Sequence, residues 1–146
     1  MKIKNILSKI TNWCKRKQLR KQLEKLVMQE ASNLRNHATS EEKAKLNFYS
    51  LIPDMKSSCI YGQMTGNCNY NRSIELIEIS CPRVYENNSF NIETAKLNGS
   101  PINLSRQSYW SPIEIFIIDN RIGIKVQNNK RLIEYIKGKT DKLEFI

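Results

Sequence analysis

Apolar residues recur at steps of three and four along the first 36 positions, which is the period of an α-helix. The two sets of apolar positions lie out of register across Lys15–Gln18, and residues 2–36 contain neither proline nor glycine. The pattern therefore predicts one long helix with a rotated apolar stripe, or two helices with a break near Lys15. The first set is Ile3, Ile6, Leu7, Ile10, Trp13 and Cys14; the second is Leu19, Leu23, Leu26, Val27 and Leu34.

The middle of the chain has weaker periodicity. Thr39 lies three residues before Glu42, which is the spacing of a capping box, and predicts a helix that ends before Pro53. Residues 54–71 resemble a loop, with Gly62 and Gly66 in its centre. A further helix is expected from about residue 71 to 81, where Pro82 would stop it, although residues 74–79 also have some strand character.

The last third favours strands. Residues 86–111 predict loops with one or two weak strands. Pro112–Ile118 is β-branched and apolar, and Ile122–Val126 alternates, so together they predict an antiparallel hairpin. A helix is expected over Lys130–Lys137 with Gly138 as its C-terminal cap, and Leu143–Ile146 as an edge strand.

The fold class predicted from these patterns is α+β. It consists of a long basic N-terminal helix or helix pair, followed by a small mixed domain with a C-terminal hairpin, helix and edge strand. The expected division is a helical arm over 1–37 and a domain over 38–146.

Charge is concentrated in the predicted arm. Residues 1–37 hold ten basic and two acidic side chains, so they carry +8 of the net +10. Such asymmetry indicates an acidic partner: nucleic acid, an anionic membrane or an acidic protein face. We expect nucleic acid, or a complex that bears it, to bind a dense basic cluster on this helix. The cluster is Lys15, Arg16, Lys17, Arg20, Lys21 and Lys25.

Three other interpretations of the same helix stay open. The basic residues could form a solvated face opposite a packing stripe. The apolar residues near the start, with lysines between them, are typical of a helix lying on a membrane surface. The stripe of Leu19, Leu23 and Leu26 could instead join copies of the chain into a homo-oligomer or assembly.

The start of the chain indicates its compartment. The start has no unbroken apolar stretch typical of a secretory signal, so we expect a cytoplasmic chain with free thiols.

The sequence also favours a non-enzymatic protein. Enzyme and nucleotide-binding signatures are lacking, so no catalytic residue, cofactor or metal is predicted. A thiol- or zinc-dependent enzyme is the alternative, although no closely spaced cysteine pair anchors a zinc site. Its candidates are Cys59, Cys68, Cys81 and His37.

The glycine-containing segment is the candidate functional loop of the body. Two glycines so close together would let a backbone approach a ligand. Arg72 could aim at a phosphate beside this loop or pair with Glu75 on one helix face. The loop candidates are Tyr61, Gly62, Gln63, Thr65, Gly66 and Arg72.

The stretch Ser57–Glu75, with Cys59–Gly66 and Arg72, resembles uncharacterised small proteins of bacteria and their phages, as does Tyr109–Glu114. The resemblance covers the body from about Leu34 onward and implies no activity. It implies an accessory protein of a phage or mobile element. Such proteins often bind host machinery, and inhibitors of defence complexes are one class of them.

Overall fold

The structure is a computed structural model, and it describes residues 2–53, 55–80, 110–120 and 126–143. Throughout those ranges the regular elements are helices, so the α+β prediction is wrong for the described part of the chain. In chain order they are α1 (Lys2–His37), α2 (Ser40–Ala44), a 3-10 turn (Phe48–Ser50), α3 (Ile60–Thr65), α4 (Asn71–Ser80), α5 (Pro112–Asn120) and α6 (Val126–Ile136).

Helix α1 decides between the two N-terminal alternatives, because it is continuous over 36 residues. At 1.5 Å per residue it is about 54 Å long. Its second half supplies core residues at helical spacing, and it packs against α4, α5 and α6. The buried positions on this half are Leu23, Val27, Glu30, Ala31 and Leu34. The division into 1–37 and 38–146 stays a prediction about folding units, while the core takes side chains from both segments.

The predicted strand at Pro112–Ile118 is a helix, α5. Its start is a capping box: Ser111 Oγ accepts a hydrogen bond from Glu114 N at 3.2 Å, and Ser111 N donates to Glu114 Oε1 at 2.9 Å. The helix is buried on several faces, with Ile113, Ile115 and Phe116 fully inaccessible. A helix enclosed in this way shows no amphipathic period, which explains why its β-branched sequence resembles a strand.

Other boundaries also differ from the predictions. The second helix stops at Ala44 instead of reaching Pro53, although its Thr39–Glu42 capping box is confirmed. The predicted loop over 54–71 contains α3, whose N-terminal cap is Cys59. The second hairpin strand, the weak strands before Trp110 and the end of the edge strand lie outside the described residues, and Val126 begins a helix.

The helices predicted at 71–81 and 130–137 are confirmed as α4 and α6, the latter beginning earlier at Val126. Gly138 has a φ of 76°, as its predicted capping role requires. Its N–H donates to the Tyr135 carbonyl at 3.0 Å, and Lys139 N–H donates to the Glu134 carbonyl at 2.8 Å. These two bonds form a Schellman motif that ends α6.

Arg35 joins the end of α1 to the C-terminal segment. Its guanidinium donates to the carbonyl of Tyr135 at 3.2 Å and to that of Thr140 at 2.6 Å. It also pairs with Asp141 at 2.7 Å and lies 4.8 Å from the centroid of the Tyr135 ring. The Arg35 guanidinium therefore gives the Tyr135 carbonyl a second donor beside Gly138 N–H and bonds a carbonyl beyond the end of α6.

Candidate functional site

The basic cluster lies on α1, and part of it forms an exposed ridge. Lys17, Lys21 and Lys25 are spaced by four and all are exposed, as is Lys9 on the same helix. The buried positions Leu23 and Val27 lie two residues from members of this ridge, which places them on opposite sides of the helix. The side chains of Lys15, Arg16 and Arg20 lie outside the described residues, and the backbone places these residues in α1.

The exposed side of α1 extends beyond the lysines. Gln18, Gln22 and Gln29 are exposed beside the ridge, and Met28 is 44% exposed. This side is therefore polar and cationic, whereas the opposite side fills the core. A helix with this division is suited to present positive charge away from the body.

Tyr61 and Gly62 belong to α3 and are buried. A Cβ atom at Gly62 would lie 2.0 Å from the Lys56 carbonyl oxygen, so glycine is required for the backbone to pass this close. The close backbone approach predicted for this segment therefore exists, but it brings together two parts of the same chain. Packing within the chain thus explains why position 62 is a glycine.

Gln63 and Thr65 make bonds that hold the segment to its surroundings. Gln63 accepts from Asn47 N at 2.9 Å and donates to the Asn47 carbonyl at 2.9 Å. The hydroxyl of Thr65 is bonded to that of Ser73 on α4 and to the Tyr61 carbonyl. Gly66, with a φ of 105°, caps α3 at its C-terminus.

Arg72 joins three elements. Its guanidinium donates to both carboxylate oxygens of Glu42, at 2.9 and 3.0 Å, and to the His37 carbonyl at 3.1 Å. The ion pair with Glu75 predicted from the spacing is present at 3.1 Å. The hydrogen bond from Arg72 is the main cause that lowers the pKa of Glu42 to about 2, against a smaller opposing effect of burial. Arg72 thus ties the ends of α1 and α2 to α4.

The metal candidates do not come together as a set in the part of the chain that the structure describes. Cys59 is buried, Cys68 is half-buried and His37 is exposed at the end of α1. Among the described residues, no group of three or more His, Cys, Asp and Glu side chains could hold a metal ion. Cys81 lies outside the described residues.

Sequence reasoning missed a pair of buried glutamates in the core. Glu30 of α1 is fully buried and accepts from the Tyr61 hydroxyl at 2.5 Å and from Ile113 N at 2.8 Å. It thereby joins α1 to α3 and to the first turn of α5. A signal was available, because position 30 falls on the apolar face set by Val27, Ala31 and Leu34.

Glu114 of α5 is the second member of the pair. One carboxylate oxygen accepts from Ser111 N, and the other accepts from Ile60 N at 3.4 Å, at the start of α3. Burial is the main cause that raises the pKa of Glu114 to about 8, and the charge of Glu30 adds to it. The Ser-x-x-Glu spacing at 111–114 was a sequence signal for this arrangement.

Each carboxyl group of the buried pair thus bonds groups of a neighbouring element, a backbone N–H or a hydroxyl. Such N–H and O–H donors satisfy carboxyl oxygens in a core, which offsets part of the free-energy cost of burying them. The arrangement is suited to hold α1, α3 and α5 at fixed positions. It is not an open site, because Glu30 and Glu114 are both buried.

Comparisons with models of protein families, with curated proteins and with solved structures find no match for this chain.

Two further structural facts concern membrane-crossing segments and the proposed assembly contacts. In the described ranges, no helix combines the length and apolar character needed to cross a bilayer. Leu23, one of the proposed oligomer contacts, is 1% exposed inside its own chain, and Leu26 is partly buried. The side chain of Leu19 lies outside the described residues.

Proposed function

We propose that this protein is a non-enzymatic binding protein of phage or mobile-element type. Its basic helix contacts nucleic acid, or a host ribonucleoprotein or defence complex that carries nucleic acid. The single observation that carries the proposal is the ridge of Lys17, Lys21 and Lys25, exposed on the side of α1 that faces away from the core.

The spacing of the ridge suits a polyanion. Steps of four residues place successive lysines about 6 Å apart along the helix axis. An extended phosphate backbone can therefore touch several of them at once, and each contact releases a counterion. Binding of this kind weakens steeply as the salt concentration rises, which distinguishes it from a contact made by apolar surface.

The distribution of the remaining charge supports the same proposal. Three acids are bonded within the chain away from the ridge: Glu30 and Glu114 in the core, and Glu42 to Arg72. The lysine ridge projects from the side of α1 opposite its buried stripe. The positive charge is thus placed where a partner can reach it.

Charge reversal is a sharper test than removal of the arm. Deleting residues 1–37 would take Leu23, Val27, Glu30 and Leu34 out of the core, so loss of binding could reflect loss of folding. Replacing Lys17, Lys21 and Lys25 by glutamate changes only exposed positions.

The experiment measures binding of the full chain to short single- and double-stranded RNA and DNA across a salt series. The variant K17E/K21E/K25E is compared with K45E/K139E/K142E, which makes the same charge change at three other exposed lysines. We expect the first variant to bind at least about tenfold more weakly and with a shallower salt slope, and the second to stay close to the unchanged protein.

Equal weakening by both variants would mean that net charge alone governs the interaction, and the proposed ridge would be wrong. Absence of binding by the unchanged protein at low salt would reject nucleic acid as the direct partner. The remaining candidates would then be the acidic face of a protein or an anionic membrane.

A further inference from the structure

Cys59 and Cys68 both contact the backbone carbonyl of Lys56, beside α3. The Lys56 carbonyl accepts from Cys68 N at 2.8 Å, and the Cys59 thiol lies 3.9 Å from the same oxygen. The shared carbonyl therefore brings the Cys59 sulfur close to the backbone of Cys68, although nine positions separate the two residues in the sequence.

The two cysteines differ in exposure. Cys59 is the N-terminal cap of α3 and is 7% exposed, and its sulfur accepts from Gly62 N at 3.3 Å. Cys68 follows the end of α3, is half-buried and is bonded to the side chain of Asn69. A small molecule from solvent can thus reach the Cys68 side, whereas the Cys59 sulfur lies inside.

We propose that Cys59 and Cys68 are a redox pair, which closes to an intramolecular disulfide when a hydroperoxide reaches Cys68. The proposal is independent of nucleic-acid binding. It assigns a modification site to a segment whose glycines and polar residues otherwise serve packing.

The reaction balances with the hydroperoxide as oxidant. The Cys68 thiolate attacks one oxygen, the O–O bond breaks, and the alcohol leaves after taking a proton, so that Cys68 becomes a sulfenic acid. The Cys59 sulfur then attacks the Cys68 sulfur. The S–S bond forms, the S–O bond breaks, and the hydroxide leaves as water with the proton of Cys59. Two thiols are oxidised and one hydroperoxide is reduced.

The order of the two steps follows from the surroundings. Burial, together with the charge of Glu114, raises the pKa of the Cys59 thiol to about 12, so Cys59 is protonated before oxidation. The more exposed Cys68 therefore reacts first, and Cys59 is the resolving thiol.

The chain offers a direct readout of the disulfide. Trypsin cleaves after Lys56 and Arg72, and no lysine or arginine lies between them, so Cys59 and Cys68 stay in one peptide, 57–72. The folded full chain is treated with hydrogen peroxide, its remaining thiols are alkylated, and its peptides are weighed. We expect peptide 57–72 to lack alkyl groups and to be two hydrogens lighter than its dithiol form.

Two variants and one control test the pairing. C68S and C59S should each abolish the change in peptide 57–72, while C14S should leave it intact, because Cys14 lies on the exposed side of α1. Serine is a good N-terminal cap, so C59S is expected to fold, and C68S tests the proposal by itself if it does not. The oxidised protein should keep its helical circular dichroism and melt at a higher temperature than the reduced protein.

Exposed Cys14 reports within the same sample that the oxidant was effective. A dithiol peptide 57–72 beside an oxidised Cys14 would overturn the proposal. So would a disulfide that links either cysteine to Cys81, or one that forms only after the protein is unfolded in urea.

Discussion

The two sides of α1 differ in charge. One side presents Lys17, Lys21 and Lys25 to solvent, whereas the opposite side buries Glu30 and bonds it to Tyr61 and Ile113 N. A buried carboxyl group costs free energy unless donors satisfy it, and an exposed lysine requires no partner within the chain. The buried acid Glu30 thus serves the fold, while the exposed lysines lie where another molecule can reach them.

The largest loss of stability is expected when the buried acid, Glu30, is removed. Replacing Glu30 by alanine would leave the Tyr61 hydroxyl and Ile113 N in the core without this acceptor. We expect the free energy of unfolding to fall by about 3–5 kcal/mol, measured by urea denaturation. The matched control is Q29A at the exposed neighbouring position, which should change it by less than about 0.5 kcal/mol. Similar values for the two variants would show that Glu30 does not hold the core together.

The packing that supports Tyr61 can be tested at the next residue. Replacing Gly62 by alanine would bring a methyl group within 2.0 Å of the Lys56 carbonyl oxygen, so that backbone must move. We expect a loss of about 3 kcal/mol by thermal or urea denaturation. Gly138 is the control, because space around it is open and only its positive φ opposes alanine, at a cost of about 1 kcal/mol. An equal loss at both positions would contradict the close approach.

The buried pair should also give the stability a characteristic pH dependence. Glu114 ionises near pH 4.5 when unfolded and near pH 8 when folded, so the folded state binds the extra proton between these values. Its contribution to stability is therefore present at low pH and is lost as pH rises through this window, with a slope of at most about 1.4 kcal/mol per pH unit. In E114Q this part of the slope should disappear when denaturation is repeated from pH 5 to pH 8. A slope unchanged in E114Q would assign the titration to another group.

The smallest effect is expected from the ridge. The triple change of Lys17, Lys21 and Lys25 to glutamate removes no buried contact, so the unfolding free energy should change by about 0.5 kcal/mol or less. Circular dichroism and urea denaturation measure it in the same sample used for binding. A larger loss would mean that the ridge supports the fold, which would contradict the contrast between the two sides of α1.

The sequence was informative where a single local signal agreed with the packing. The Thr39 capping box and the Gly138 cap gave correct helix boundaries, and the spacing of Arg72 and Glu75 gave a real ion pair. These features depend on groups only a few positions apart. Their geometry therefore depends mainly on local backbone conformation.

The errors came where tertiary contacts overrode local preference. The β-branched residues of α5 favour a strand, but burial among other helices and the Ser111–Glu114 capping box select a helix. The partners of Glu30 lie 31 and 83 positions away, so no local pattern specifies them. For the candidate site, the basic cluster could be named from composition, but its exposure depends on which side of α1 the core occupies.

The continuity of α1 has a geometric consequence. With no proline or glycine in residues 2–36, the direction of the lysines is set by the rotational phase of the helix relative to its buried stripe. Inserting one alanine after Gln22 would keep every charge but turn Lys17 and Lys21 by about 100° relative to Lys25 and the core, and shift them by about 1.5 Å. The number of residues between Lys21 and Leu23 thus decides whether Lys17, Lys21 and Lys25 share one side of the helix.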